Sequence, residues 1–358
     1  MIKRGGIELF LGPKVLKAPD DLQQVIIDFL DKSRCSLDVA VQELDSRTIA
    51  EALVAAKRRG VRVRLILEGD YLGDKGGKRN PWDPIVGGHE ENRVILAGLL
   101  RAGVDVISDL NPQIFHQKFV VCDAGQPSAA VLTGSANFTL TDTGANGDAG
   151  NNLNHIVILR GQTAAHLYQA EFNRLRSGTF GNLHERVEPR PTEFRLGQVR
   201  VKPLFAPRHG PEMEIMKQML KSSAQIDFAM FTFSNSSGID DTMLRLVPKV
   251  HIRGVLDRAQ SSYGWSPTDK LKSADVELHV NNTEVRKVHH KLMVIDRQLL
   301  IVGSFNYTEP ATTLNDENIV VIGNLKETNP VAQKAQSDLA EYALTEIDRI
   351  VADYARSA

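Results

Sequence analysis

Two short segments of the chain carry the same reactive side chains at the same spacing. Each segment has the pattern His-x-Lys-x(4)-Asp, and each is followed by a Gly-Ser-x-Asn sequence. In chain order these residues are His116, Lys118, Asp123, Ser135 and Asn137 in the first segment and His289, Lys291, Asp296, Ser304 and Asn306 in the second. A single match of this kind has little weight, but a duplicated one indicates a shared site.

These residue types suit the transfer of a phosphoryl group. The transition state of a phosphodiester carries negative charge, which two lysines and two asparagine amides stabilise if the two segments face each other. One histidine can attack phosphorus as a neutral imidazole and form a phosphohistidine. The other histidine can protonate the leaving oxygen and later deprotonate water. With an unperturbed pKa of about 6.5, histidine serves either role near neutral pH.

The surrounding sequence is duplicated as well. The apolar residues between each lysine and aspartate predict a buried strand, on which residues two apart share a face. From the start of the chain, and again from Val199, strand-like apolar runs alternate with the 3.6-residue periodicity of helices. This order predicts two α/β units with central sheets. We place them at residues 1–185 and 199–358, joined by a linker rich in Gly, Pro and charge at 186–198.

The composition limits the class of protein. The 358 residues are 42% hydrophobic and 24% charged, which is ordinary for a globular protein. The net charge of -1 means that any site for a polyanion must be a local patch. Two cysteines make no disulfide framework, and no cluster has metal-ligand spacing, so we expect no metal and no cofactor. No apolar leader or long apolar stretch is present, so we expect a cytoplasmic protein without stable membrane association.

The paired motifs resemble those of the phospholipase D superfamily over essentially the whole chain. The sequence GSFNYT followed by LNDENIVVIG is similar to that of the bacterial phospholipase D-type endonucleases. The resemblance implies two α-β-α sandwich repeats with mixed central sheets, related by a pseudo-twofold axis, with one active site between them. A monomer would then suffice for activity, and an oligomer stays open. The implied function is a metal-independent phosphodiesterase for nucleic acid, with DNA favoured over RNA, and most simply a DNA endonuclease.

Two other functions stay open. One is a phospholipase D or phosphatidyltransferase acting on phospholipids, although relatives of that kind carry membrane helices or signal peptides. The other is a nucleic-acid-binding module with a decayed site, although both histidines, both lysines and both asparagines are present.

The two repeats differ in the residue expected to support each histidine. In the second repeat, the resemblance implies that Glu317 accepts a hydrogen bond from His289. In the first repeat an insertion delays the matching strand, and Asn154 takes the corresponding place. A neutral partner suits His116 as the nucleophile, and a carboxylate-supported His289 suits the acid.

Other polar residues near the motifs have expected roles of a different kind. The residues expected to support the site are Ser135, Ser304, Asp123 and Asp296, the two aspartates being mainly structural. His290 faces away from His289 and is expected not to be catalytic. One alternative stays open: Asp142 or Asp148, in the inserted loop, folds back and supplies the missing carboxylate.

Two long irregular loops predict where the substrate is held. Each follows the third strand of its repeat and contains one of the two tryptophans among basic residues and glycines. The expected substrate-binding residues are Lys75, Lys78, Arg79, Trp82, Tyr263, Trp265 and Lys270. Basic side chains beside aromatic platforms typically hold single-stranded nucleic acid. The alternative is that each tryptophan packs its loop onto the domain.

Overall fold

A computed structural model of the chain describes residues 1–73, 89–182 and 189–358. These residues form two mixed β-sheets with helices packed against them, which confirms the expected α/β fold with two repeats. No helix within the described ranges has the length and apolar character needed to cross a bilayer. The division at residues 185 and 199 stays a prediction.

The first sheet combines parallel and antiparallel strands. The described strands are β1 (Ile2–Arg4), β2 (Ile7–Gly12), β3 (Ser36–Val41), β4 (Arg62–Leu67), β5 (Asp105–Ser108), β6 (Lys118–Cys122), β7 (Ala130–Gly134) and β8 (Asn152–Arg160). The helices are α1 (Leu22–Asp31), α2 (Arg47–Arg58), α3 (Glu90–Arg101), α4 (Leu140–Thr143) and α5 (Gln162–Arg176). The strand order is β1-β2-β8-β7-β6-β3-β4-β5, with β3, β4 and β5 parallel.

The second sheet repeats this topology. Its strands are β9 (Phe194–Leu196), β10 (Val199–Ala206), β11 (Gln225–Met230), β12 (His251–Leu256), β13 (Glu277–Asn281), β15 (Lys291–Ile295), β16 (Leu299–Gly303), β17 (Glu317–Ile322) and β18 (Ala355–Ser357). The short strand β14 (Lys287–Val288) precedes β15 in the chain but pairs with β8 of the first sheet. The helices are α6 (Pro211–Met219), α7 (Ile239–Leu246), α8 (Arg258–Ser261), α9 (Thr268–Lys272), α10 (Glu309–Thr313) and α11 (Pro330–Tyr354). The central order β10-β17-β16-β15-β11-β12-β13 matches β2-β8-β7-β6-β3-β4-β5 strand for strand.

Local sequence explains these elements. In α2, the side chain of Ser46 accepts a hydrogen bond from the Ile49 amide and caps the helix. Ile49, Leu53 and Ala56 recur at helical spacing and are buried. The neighbouring strand β3 is buried along its whole length, as expected for a strand covered on both faces.

The two repeats exchange backbone hydrogen bonds next to the motifs. The amide of His289 donates to the carbonyl of Leu153 (2.9 Å), and β14 pairs in parallel with β8. The amide of His116 donates to the carbonyl of Asp316 (2.9 Å). The backbone of each motif histidine is therefore hydrogen-bonded to the opposite repeat.

Candidate active site

The interface between the repeats contains a cavity of about 800 Å³. The side chains of His116, Asn137, His289 and Asn306 all line it. The structure therefore brings together the histidine and asparagine residues of the two motifs, as a shared site requires.

The two lysines lie buried beside the histidines. Lys118 Nζ donates to the backbone oxygen of His116 (3.0 Å), and Lys291 Nζ donates to that of His289 (2.9 Å). Burial lowers the pKa of Lys118 to about 8. Burial and the neighbouring charge of Lys118 also lower the pKa of Lys291 well below its ordinary value. Two buried amino groups whose charged forms are disfavoured by burial would gain from binding an anion.

The side chains that hold the two lysines were missed by the sequence analysis. Gln42 Oε1 accepts from Lys118 Nζ (3.2 Å), whereas the ring of Phe231 lies 5.2 Å from Lys291 Nζ. Both residues directly follow corresponding strands, β3 and β11. The duplicated topology could have indicated both residues, because the ends of equivalent strands lie at the same edge of each sheet.

The expected support of the histidines is wrong in its pairing. Glu317 Oε2 lies 2.8 Å from His116 Nδ1, and Asn154 Oδ1 lies 2.9 Å from His289 Nδ1. Each supporting residue thus serves the histidine of the opposite repeat. The reason is that the backbone of each histidine reaches across the interface, where the amide of His289 bonds to Leu153 and that of His116 bonds to Asp316.

The structural equivalence of Asn154 and Glu317 is confirmed by strand register. In β7 and β8, Gly134 pairs with Ile156, and in β16 and β17, Gly303 pairs with Ile319. Asn154 and Glu317 each lie two residues before the paired isoleucine.

Both serines of the Gly-Ser-x-Asn sequences hold these supporting residues. Ser135 Oγ donates to Asn154 Oδ1 (2.8 Å), and Ser304 Oγ donates to Glu317 Oε2 (2.6 Å). The preceding glycine is required by close packing, since a Cβ at Gly134 would lie 2.2 Å from the next strand's carbonyl oxygen. Each serine thus holds the residue that contacts a catalytic histidine, which is a specific form of the supporting role expected for it.

Hydrogen bonds fix which nitrogen of His289 carries the proton. Asn154 Nδ2 donates to the backbone oxygen of Asp142 (3.2 Å), so Asn154 Oδ1 is left to accept from His289 Nδ1. The Nε2 atom of His289 is then free to exchange a proton with a substrate. Burial, followed by the charge of Lys291, lowers the pKa of His289 well below its ordinary value.

The pair formed by His116 and Glu317 differs from the pair formed by His289 and Asn154, because Glu317 can carry a negative charge. Burial raises the pKa of Glu317 to about 8 and lowers that of His116 well below its ordinary value. When Glu317 is ionised it accepts from His116 Nδ1, which leaves the Nε2 lone pair for attack on phosphorus.

Acidic and basic side chains both line the cavity. Glu43 and Asp45 belong to the segment after β3, and Arg286 and Lys287 lie at β14. Burial, followed by the charge of Asp45, raises the pKa of Glu43 to about 7. The sequence analysis missed these wall residues because only the tertiary fold brings their segments to one cavity.

The inserted loop of the first repeat does fold back. Asp142 Oδ2 lies 3.6 Å from His289 Nδ1, so this carboxylate approaches the histidine of the second repeat and not His116, which the open alternative had it support. The side chain of Asp148 lies outside the described residues.

The remaining motif residues make their contacts away from the cavity. Asp123 accepts hydrogen bonds from the backbone amides of residues 34–36, and Asp296 accepts from those of residues 223–225. His290 is buried away from the cavity, with its Nε2 3.1 Å from Glu346 Oε1. These contacts agree with the roles expected for them.

The expected substrate loops are only partly placed at the cavity. Trp265 lines its mouth and stacks on Tyr263 with ring centroids 5.2 Å apart. Lys270 instead forms ion pairs with Asp240 and Asp241, and it is absent from the described lining of the cavity. The other four residues, Lys75, Lys78, Arg79 and Trp82, lie outside the described ranges.

Comparison with known proteins agrees with the duplicated fold. Residues 26–176 and 215–340 match the family model described as "Cardiolipin synthase, PLD-like domain". Over 102 residues the chain is 36% identical to the mitochondrial cardiolipin hydrolase of Chlamydomonas reinhardtii, covering 28% of this chain and 45% of that protein. It is 28% identical over 131 residues to a phospholipase D of Rickettsia prowazekii (strain Madrid E), covering 37% of this chain and 63% of that protein. Each of these matches spans less than two thirds of the relative's own length.

A solved structure matches nearly the entire chain. The phosphatidylserine synthase of Haemophilus influenzae Rd KW20 superimposes with a TM-score of 0.69, covering 99% of this chain and 87% of that one. The sequence identity is 12%, so the likeness concerns the fold alone.

Proposed function

The chain belongs to the phospholipase D superfamily, and from this premise we propose that it is a metal-independent phosphodiesterase acting on phospholipids. The reaction proceeds through a covalent phosphohistidine and ends in transfer to water or to an alcohol. The substrate is reached at a membrane surface from the cytoplasm, through transient contact.

In the first step His116 Nε2 attacks phosphorus. A nitrogen–phosphorus bond forms, and the bond from phosphorus to the leaving alcohol oxygen breaks. His289 Nε2 gives its proton to that oxygen. In the second step His289 takes a proton from water or an acceptor alcohol, whose oxygen displaces His116 from phosphorus. Lys118 and Lys291 stabilise the negative charge of both transition states.

The carboxylate partner supports His116 as the nucleophile, for a reason opposite to the one argued from sequence. Attack through Nε2 leaves the His116 ring positively charged, because Nδ1 keeps its proton. The charge of Glu317, 2.8 Å from Nδ1, stabilises that phosphohistidine. His289 Nδ1 donates to the uncharged Asn154, so its ring lacks that direct support for a phosphohistidine, and His289 is left with the role of the acid.

Three carboxylates in the lining of the cavity, which we call the acidic wall, are the observation that supports the phospholipid substrate. Glu43, Asp45 and Asp142 line the cavity together with His116 and His289. A nucleic-acid strand bears a phosphate on each side of the scissile one, and a nearby carboxylate repels these phosphates. A phospholipid with one phosphodiester avoids this cost. The names of the matched relatives, cardiolipin hydrolase and phospholipase D, point the same way.

A nucleic-acid substrate, favoured by the sequence alone, is the second candidate. The stacked pair of Tyr263 and Trp265 offers a platform for a base. Arg286 and Lys287 line the same cavity and suit a phosphate. The acidic wall opposes this reading.

The two candidates are separated by one assay with purified protein in EDTA. Phospholipid vesicles, plasmid DNA, single-stranded DNA and RNA are each incubated with the wild type and with His289→Ala. We expect release of the lipid headgroup by the wild type alone, without cleavage of nucleic acid. Nucleic-acid cleavage that is lost in His289→Ala, together with intact lipid, would overturn the phospholipid proposal in favour of a nuclease.

A further inference from the structure

The two repeats place their carboxylates at different positions around the catalytic histidines. Helices α4 and α10 follow the two Gly-Ser-x-Asn sequences and are capped in the same way. Thr139 Oγ1 accepts from the amide of Asp142 (3.2 Å), and Thr308 Oγ1 accepts from that of Ala311 (3.3 Å). Asp142 therefore corresponds to Ala311, just as Asn154 corresponds to Glu317.

The exchange leaves each histidine with one carboxylate nearby. His116 faces Glu317, and the position equivalent to Asp142 is the buried Ala311. His289 faces the amide of Asn154, and the carboxylate is supplied by Asp142 at 3.6 Å. The carboxylate is therefore on strand β17 in the second repeat and on helix α4 in the first repeat.

The carboxylate of Asp142 is held in a fixed orientation. Its side chain is 2% exposed. Oδ2 accepts from the backbone amide of Asn137 (2.8 Å), and Oδ1 accepts from Asn152 Nδ2 (2.6 Å). Three elements around His289, the Gly-Ser-x-Asn turn, α4 and β8, thus meet at this one carboxylate.

We propose that Asp142 is a positioning residue that stabilises the protonated form of His289, so that His289 can act as the general acid. This inference rests on the proposed phosphodiesterase function. Because His289 Nδ1 already donates to Asn154, the second proton on Nε2 makes the ring positively charged.

The surroundings of His289 otherwise disfavour that charge. The groups that face it and lower its pKa, in addition to burial, are Lys291, Lys118, His116 and Lys287. The ring of Phe231 packs edge-on against it, with centroids 4.9 Å apart. A carboxylate within 4–6 Å typically shifts the pKa of a neighbouring group by about 1–3 units in favour of the charged form. Asp142 opposes the lysines in this way.

The test compares Asp142→Asn with the wild type on two phosphodiesters. One carries a p-nitrophenol leaving group, which needs little protonation, and the other is phosphatidylcholine in vesicles, whose alcohol must be protonated. We expect kcat on the lipid to fall at least tenfold, and the alkaline limb of its pH profile to move down by about one unit. Cleavage of the p-nitrophenyl ester should change less than threefold.

A double variant separates an electrostatic role from a structural one. Asn154→Asp combined with Asp142→Asn moves the carboxylate to the position that Glu317 has in the other repeat, at constant side-chain size. We expect it to restore both the lipid rate and the alkaline limb. An unchanged pH profile in Asp142→Asn would overturn the inference. So would equal losses on both substrates without rescue. A wild type inactive on every phosphodiester would instead refute the proposed function itself.

Discussion

His116 Nδ1 lies 2.8 Å from Glu317 Oε2, although the two residues are 201 positions apart and belong to opposite repeats. The reciprocal contact joins His289 Nδ1 to Asn154 Oδ1 across the same interface. Each histidine therefore depends on the other repeat for the state of its ring, and neither half supplies a complete site. One chain with both repeats contains everything this arrangement requires.

The covalent intermediate should form on His116. In His289→Ala the first step can still occur with an activated ester, but no residue then activates water. We expect a phosphate linkage on His116 that is labile to acid and stable to base, detected by peptide mapping after a quench. Turnover should be abolished in His116→Ala and in His289→Ala, while their melting curves stay cooperative. Label on His289 in the His116 variant would reverse the assignment.

The activity should have a narrow optimum near pH 8. Below this pH Glu317, whose pKa burial raises to about 8, is protonated and donates to His116 Nδ1, so that the ring proton lies on Nε2 and blocks attack. Above it the activity falls because His289 lacks the proton that it gives to the leaving oxygen, and because Lys118, whose pKa burial lowers to about 8, loses the charge that binds phosphate. We expect kcat/KM to fall on both sides when it is measured from pH 5 to 10. Glu317→Gln should remove the acid limb and lower kcat about 100-fold. A wild-type profile that is flat from pH 6 to 8 would contradict this account.

The duplicated topology and the motif residues followed from sequence because local patterns specify them. Apolar runs and helical periodicity depend on each strand or helix alone, and the same order returned from Val199. The register that equates Asn154 with Glu317 was also readable, since both precede matching apolar strands.

The pairing of each histidine with a supporting residue across the interface could not be predicted from local sequence patterns. Whether Glu317 turns toward His289 or His116 depends on how two sheets pack, which no local pattern records. For the same reason Gln42 and Phe231, which contact the two lysines, are recognised only when β3 and β11 are treated as equivalent strands.

The chemistry of the site should not depend on Asp123, but the stability of the fold should. Burial alone would raise the pKa of this carboxyl, yet hydrogen bonds from the amides of residues 34–36 outweigh it and lower the pKa. The resulting stability is present above the unfolded pKa of about 3.9 and is lost as pH falls through the lower folded value. We expect Asp123→Asn to reduce the free energy of unfolding by about 2 kcal/mol at pH 7. The kcat should be unchanged.

Denaturant titrations at pH 7 and pH 3 check this prediction. The difference between variant and wild type should be smaller at pH 3 than at pH 7, because the unfolded wild type gains a proton below about pH 3.9 that folded Asp123 resists. Asp296→Asn is the matched control, because Asp296 accepts from residues 223–225 in the same manner. A lower kcat with unchanged stability would assign Asp123 to the chemistry instead.

The stacked pair at the cavity mouth should act on large substrates only. Tyr263 is 53% exposed and lies against Trp265, which lines the cavity. Aromatic rings with an apolar body and a polar tip suit the boundary between lipid and water. We expect Tyr263→Ala to slow vesicle hydrolysis several-fold and to leave a soluble p-nitrophenyl phosphodiester unaffected. Met213→Ala, a change at an exposed apolar residue on α6, is the control and should alter neither rate. Loss of oligonucleotide binding in Tyr263→Ala, with vesicle hydrolysis intact, would assign the stacked pair to nucleic acid.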